Sequence, residues 1–178
     1  MNKIHCNQFL TISEGEHPWT GLKPRNWWAS VFGDQSTRLE ALPISRDKLK
    51  KLCANTEYSD REALAAVLAW GGMRRSHGRD LRANIDGICN IVSGLRNGQL
   101  SKNDAYSQFF EMRHEGKLRG MGAAYYTKLI FFCAPKHDGY IMDQWTSKSI
   151  NLIYGTNVVD LTYAGHVSDK NDAVKEAD

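Results

Sequence analysis

The stretch Leu118-Arg119-Gly120-Met121-Gly122 constrains this 178-residue chain more than any other. Two glycines two residues apart permit a backbone with positive φ and the close approach of another molecule. Leu118 can anchor such a turn in a core. From Ala123 to Ala134 the sequence reads as a helix, small residues first and then the apolar run Leu129, Ile130, Phe131, Phe132. A tight turn entering a helix leaves the amides of Gly120, Gly122 and Ala123 free, an arrangement that binds anions, phosphate above all. Pro135 to Gly139 breaks the helix, and Tyr140-Ile141-Met142 runs straight into Asp143. Apolar residues at 145, 150, 152 and 153 follow with helical spacing, so Asp143 is placed to cap a second helix. Tyr140, Met142 and Trp145 wall its carboxylate, and a lowered dielectric there strengthens its field.

Upstream, the same rules predict more helices and little strand, six or seven helices in all. Ser45 precedes a helix with Leu49, Leu52 and Cys53 on one face. Ser59 with Glu62 three residues later is a capping box, and Ala63 to Trp70 continues as an almost wholly apolar helix, buried on most sides. Gly71-Gly72 stops it. Met73 to Arg79 reads as a short basic loop. Ile85, Ile88, Ile91, Val92 and Leu95 mark a helix closed by Asn97-Gly98. Ser101 to Asp104 starts another, with Tyr106, Phe109, Phe110 and Met112. Met1 to Leu42 shows no sustained periodicity. Its tryptophans, Trp19, Trp27 and Trp28, read as packing for an irregular segment or as a stacking surface beside Arg25 for an unpaired base. Asp169 to Asp178 is polar and reads as a tail.

Composition is that of an ordinary globular domain, with a net charge of +3, which is compatible with a nucleic-acid partner but does not demand one. Cys6, Cys53, Cys89 and Cys133 share no metal-ligand spacing, so neither zinc nor an iron–sulfur cluster is signalled, and no cofactor is expected. Scattered single cysteines fit a reducing compartment, and no apolar stretch approaches a membrane span, so the expectation is a cytoplasmic protein. The six histidines show no ligand spacing, and His77 stands out only through its basic loop.

Hairpin, apolar helix, apolar triplet and helix-heading aspartate, in that order, resemble the helix-hairpin-helix DNA glycosylases. The distance from hairpin to aspartate is most similar to that of the 8-oxoguanine glycosylase branch. The resemblance is close over residues 118–153 and looser back toward residue 60. It implies an all-α helix-hairpin-helix glycosylase-like domain over residues 1–165, with a tail over 166–178. It implies a monomer acting on double-stranded DNA with a modified base, an oxidised purine first. The base would be flipped and its N-glycosidic bond hydrolysed, in repair or in defence against foreign DNA.

The resemblance also assigns roles. Gly120, Gly122, Ala123 and Arg119 would hold the DNA backbone. Met73, Arg74, Arg75, His77 and Arg79 lie where these enzymes fill the hole left by an extruded base, Met73 as an apolar wedge and the arginines as bidentate donors. Trp145, Met142 and Tyr125 would form the base pocket. Asp143 would stabilise positive charge on the sugar, besides capping its helix. Bifunctional members carry a lysine two residues after the second hairpin glycine. Here that position is Ala124, so base removal without efficient strand nicking is expected. Lys128, one turn on and on the same face, is either a solvated or phosphate-facing lysine or a relocated nucleophile. Two other classes remain open: a non-catalytic DNA-binding helix-hairpin-helix module, and a helical protein-interaction adaptor with the tryptophan-rich N-terminus as its interface.

Overall fold

The computed structural model describes residues 1–12, 19–136, 139–168 and 171. Among these residues the chain is all-helical, with nine α-helices, a 3-10 turn at Leu81–Asn84, and one isolated bridge between Leu161 and Val167 but no strand. The helices are α1 Lys3–Ile12, α2 Pro24–Phe32, α3 Arg46–Ala54, α4 Asp60–Trp70, α5 Arg75–Asp80, α6 Ile85–Arg96, α7 Lys102–His114, α8 Ala123–Cys133 and α9 Gln144–Tyr154.

Helix α4 is the axis. Its capping box forms in both directions, Ser59 accepting from the Glu62 amide and Glu62 accepting from the Ser59 amide. Every residue from Glu62 to Trp70 is buried. The small side chains of Ala63, Ala65, Ala66 and Ala69 let neighbours approach from several sides, and α2, α3, α6 and α8 all pack on it. Leu64 and Leu68 fill the remaining space, each contributing roughly 1.5–3 kcal/mol by burial. Buried Glu62 stays ionised, although burial opposes this. Its oxygens take the Arg38 amide, the Ser59 amide and hydroxyl, and the Thr37 hydroxyl, which together hold its pKa below the ordinary value. Ser45 and Ser101 cap α3 and α7 as their sequences predict.

The N-terminal region departs from the sequence reading. Two helices form there, so the count exceeds the expected six or seven. Pro24 opens α2, where its fixed φ suits the first turn, and Gly33 closes it in the left-handed region at φ 72°. Trp27, Trp28 and Val31 are buried, and the Trp27 indole donates to the Met73 carbonyl at 2.8 Å. The Arg25 guanidinium donates to the Leu39 carbonyl at 2.8 Å. The surface for an unpaired base beside Arg25 is therefore not built from Trp27 and Trp28, which serve the core.

Residues 73–79 also differ from the expected loop. Most of them form α5, which lies against α2 at Gly78, where a Cβ would fall 2.5 Å from the Trp27 ring and 2.7 Å from Val31. At the other end, Val167 and Asn171 are buried, and the Asn171 amide both accepts from and donates to the Asp160 backbone. The domain thus continues past residue 165, where a tail was expected. Asp169, Lys170 and residues 172–178, like His17 and Pro18, lie outside the described residues.

Candidate functional site

The hairpin is held from below and open above. Leu118 and Met121 are buried, and the Met121 amide donates to the Leu118 carbonyl at 3.0 Å. Gly120 has φ 77°, and a Cβ there would fall 2.6 Å from the His77 ring. Only glycine lets the hairpin lie on α5. Gly122 caps α8 with extended backbone, and a Cβ there would make only ordinary contact with the Arg113 guanidinium. Arg113, in the last turn of α7, donates to the Met121 carbonyl at 2.9 Å. The amides of Gly120, Gly122 and Ala123 donate to no described group.

Around this turn, Arg74, Arg75, Arg79 and Arg119 are exposed and His77 is half-buried. No ion pair to Arg74, Arg75 or Arg119 occurs among the described residues. Hairpin and α5 thus form one basic surface. Met73 is not part of it. Its side chain is fully buried in the core, because the chain turns inward between α4 and α5, so its expected role as a wedge is corrected.

Beyond α8 the chain returns to a single anchoring hydroxyl. Thr127 Oγ1 donates to the Ala123 carbonyl at 2.6 Å and accepts from the Met142 amide at 3.0 Å. That pins the segment before α9 to α8 and fixes Asp143. One oxygen of Asp143, Oδ1, accepts from the amides of Trp145 (3.0 Å) and Thr146 (3.1 Å), capping α9. The other, Oδ2, accepts from Lys128 Nζ at 3.1 Å, and the same nitrogen donates to the Ala124 carbonyl at 3.0 Å.

Lys128 is therefore neither solvated nor turned to phosphate, the plainer of its two expected placements. Its side chain is 9% exposed against 26% for Asp143. It folds back toward the N-terminal turn of its own helix, the direction helical side chains favour. Its stem packs on Gly71, where a Cβ would lie 3.2 Å away. Burial pulls the Lys128 ammonium below its ordinary pKa, against the upward pull of Asp143. Burial would raise the Asp143 carboxyl, but the Lys128 charge and the two capping amides outweigh it and hold the group below the usual carboxylate range. The asymmetry follows exposure: the deeper partner suffers the larger loss of hydration.

Both groups open onto a pocket of about 760 Å³, lined by Trp19, Arg46, Trp70, Gly71, Ile141, Gln144, Trp145 and Thr146 as well as the pair. Of the expected base-pocket residues, Trp145 lines it and is 68% exposed. Met142 does not. It points into the core, with the Ser147 hydroxyl 3.4 Å from its sulfur. Tyr125 is half-buried against Gly71, outside the lining, and burial raises its phenol pKa while Arg74 pulls it down. Tyr140 is 63% exposed and walls nothing. Gln144 could have been found from its place beside Asp143. Trp19, Arg46 and Gly71 carry no local signal, since they meet the pocket only through tertiary packing.

Among the described residues no group of three or more His, Cys, Asp or Glu side chains forms a metal site, and no helix is long and apolar enough to cross a membrane. Fold and site define an all-helical domain in which a glycine hairpin on a basic face precedes a carboxylate-headed helix at a pocket. The chain belongs to the family described as "Putative 8-oxoguanine DNA glycosylase OGG-like protein", whose model matches residues 15–165. Comparison with curated proteins and with solved structures finds no match.

Proposed function

We propose that this protein is a DNA N-glycosylase, which draws a modified purine out of the duplex and hydrolyses its N-glycosidic bond. The observation that carries the reading is the Asp143 carboxylate, fixed by a helix cap and a lysine at a pocket roomy enough to admit a nucleobase. Bond cleavage builds positive charge on the sugar. A carboxylate held this strongly ionised is a weak base, so its main contribution is a fixed negative charge beside that cation. Water adds to the anomeric carbon and gives up a proton to solvent. The base leaves with the bonding pair and gains a proton. The free amides of Gly120, Gly122 and Ala123 take a backbone phosphate, and Arg74, Arg75, Arg79, Arg119 and His77 steer the duplex.

A second reading is favoured by one placement, the amine of Lys128 inside the same pocket. Once neutral, it can attack the anomeric carbon as the base departs, giving a Schiff base and strand cleavage. The pair with Asp143 favours the ammonium form against burial, so hydrolysis is the main course. The test of the glycosylase reading is Asp143→Asn, which preserves the cap. Excision from duplexes carrying oxidised purines should fall by two orders of magnitude or more while duplex binding persists. Full excision by this variant would end the assignment.

A further inference from the structure

We propose that Trp19 is the stacking platform of this pocket, a residue that grips the extruded base by its flat face. The proposal rests on the glycosylase reading for the origin of the base, and on three devices for the platform itself. First, the indole Nε1 donates to the Trp70 carbonyl at 2.8 Å, which fixes the ring at the C-terminal end of α4. Second, the Leu22 amide donates to the Ala69 carbonyl at 3.0 Å, tying the segment down at the preceding residue of the same helix end. Third, Gly21 has φ 65°, and a Cβ there would fall 2.4–2.7 Å from the Trp70 backbone, so only glycine lets the segment lie this close.

The ring so held is nevertheless 50% exposed, and it lines the pocket that contains Asp143 and Lys128. A tryptophan needed only for packing would be covered like Trp27 and Trp28, at 2% and 7%. Trp145, the other exposed indole of the pocket, already has the Lys148 ammonium 4.9 Å from its ring centre.

One chemical consequence follows. The indole N–H of Trp19 is spent on the Trp70 carbonyl, so the ring offers a π-face and no donor. Stacking of that kind is tolerant of sequence. Trp19 supplies affinity for flat bases in general, and discrimination falls to polar groups of the lining such as Arg46 and Gln144.

The test is a fluorescence titration of free 2-aminopurine with the full chain, in the wild type and in Trp19→Phe and Trp19→Leu. Loss of the stacking face should weaken binding roughly ten-fold. Phe should keep most of the affinity, Leu should lose it, and adenine competition should show the same order. Equal binding by the Phe and Leu variants would overturn the proposal, as would a wild type that leaves the fluorophore unbound. Phenylalanine and leucine both lose the indole bond to Trp70 and both keep apolar bulk, so their comparison isolates the aromatic face. The two readings fail separately. Face-dependent binding of the free base without excision from DNA would sink the enzyme and keep the platform. Normal excision by Trp19→Leu would do the reverse.

Discussion

Removing Asp143 alone from the Lys128–Asp143 pair should cost more than removing both members. In Asp143→Asn the helix cap survives, because asparagine caps as well as aspartate. What is lost is the counter-charge of an ammonium whose side chain is 9% exposed. Breaking a fully buried pair in this way costs about 3–5 kcal/mol, and an exposed pair about 0–1 kcal/mol. With Asp143 a quarter exposed and the Ala124 carbonyl still bonded to Nζ, the cost here is about 1–3 kcal/mol. In Lys128→Met the apolar stem is kept and the buried charge disappears. The remaining carboxylate retains its two amide donors, so the loss is about 1 kcal/mol or less. The double variant should sit near the lysine variant alone, giving a coupling of about 1–2 kcal/mol in a denaturant-unfolding cycle.

The pH dependence adds a second reading of the same pair. Asp143 is depressed, so its stabilisation is complete above the ordinary carboxylate pKa and disappears as pH falls through its lower folded value. Lys128 is depressed too, so its unfavourable burial is relieved as pH rises through its folded value. Without Asp143 that value falls further, and the deficit of Asp143→Asn should shrink toward alkaline pH. Additivity within about 0.5 kcal/mol, or a deficit independent of pH, would refute the buried pair.

The two hairpin glycines should separate fold from binding. Gly120→Ala meets a left-handed backbone and the His77 ring together, and should cost at least about 2 kcal/mol, roughly 4–8 °C in Tm. Gly122→Leu places its Cβ in ordinary contact with the Arg113 guanidinium and should cost less Tm than Gly120→Ala, while weakening binding to all duplex sequences alike, with an affinity that falls with salt. Borohydride trapping on lesion-containing DNA should give little covalent adduct at neutral pH and more at alkaline pH, and Lys128→Ala should remove it. Strong trapping at neutral pH would make amine attack the main course.

Much of this was legible because it is local. Ser45, Ser59 with Glu62, Ser101 and Asp143 all cap the helices their spacing predicts, since a cap needs only its own first turn. The all-helical class and the buried α4 followed from periodicity. What escaped was tertiary. Met73 looks like a loop residue until the chain turns it into the core. A lysine on a helix face is normally solvated, and only a carboxylate 15 residues later, across a break in helix, makes its burial tolerable. Pro24 did open a helix, but three tryptophans in an irregular context obscured the period. Nothing local separates Trp19 from Trp27 and Trp28, which share its packing-or-stacking reading, because its partner is a backbone carbonyl 51 residues away.

That partner gives the N-terminal segment a second consequence. The last carbonyls of a helix have no partner within it; that of Trp70 is taken by Trp19, and that of Ala69 is shared between Leu22 and the Gly72 amide. The segment that closes the pocket therefore also caps the helix around which the core is built. Any ligand that holds Trp19 in place holds this cap in place, and raises the free energy of unfolding by RT ln(1 + [L]/Kd). With Trp19 as the proposed platform, recognition and stability would be thermodynamically linked through one indole, and a change that loosens either would be felt in both.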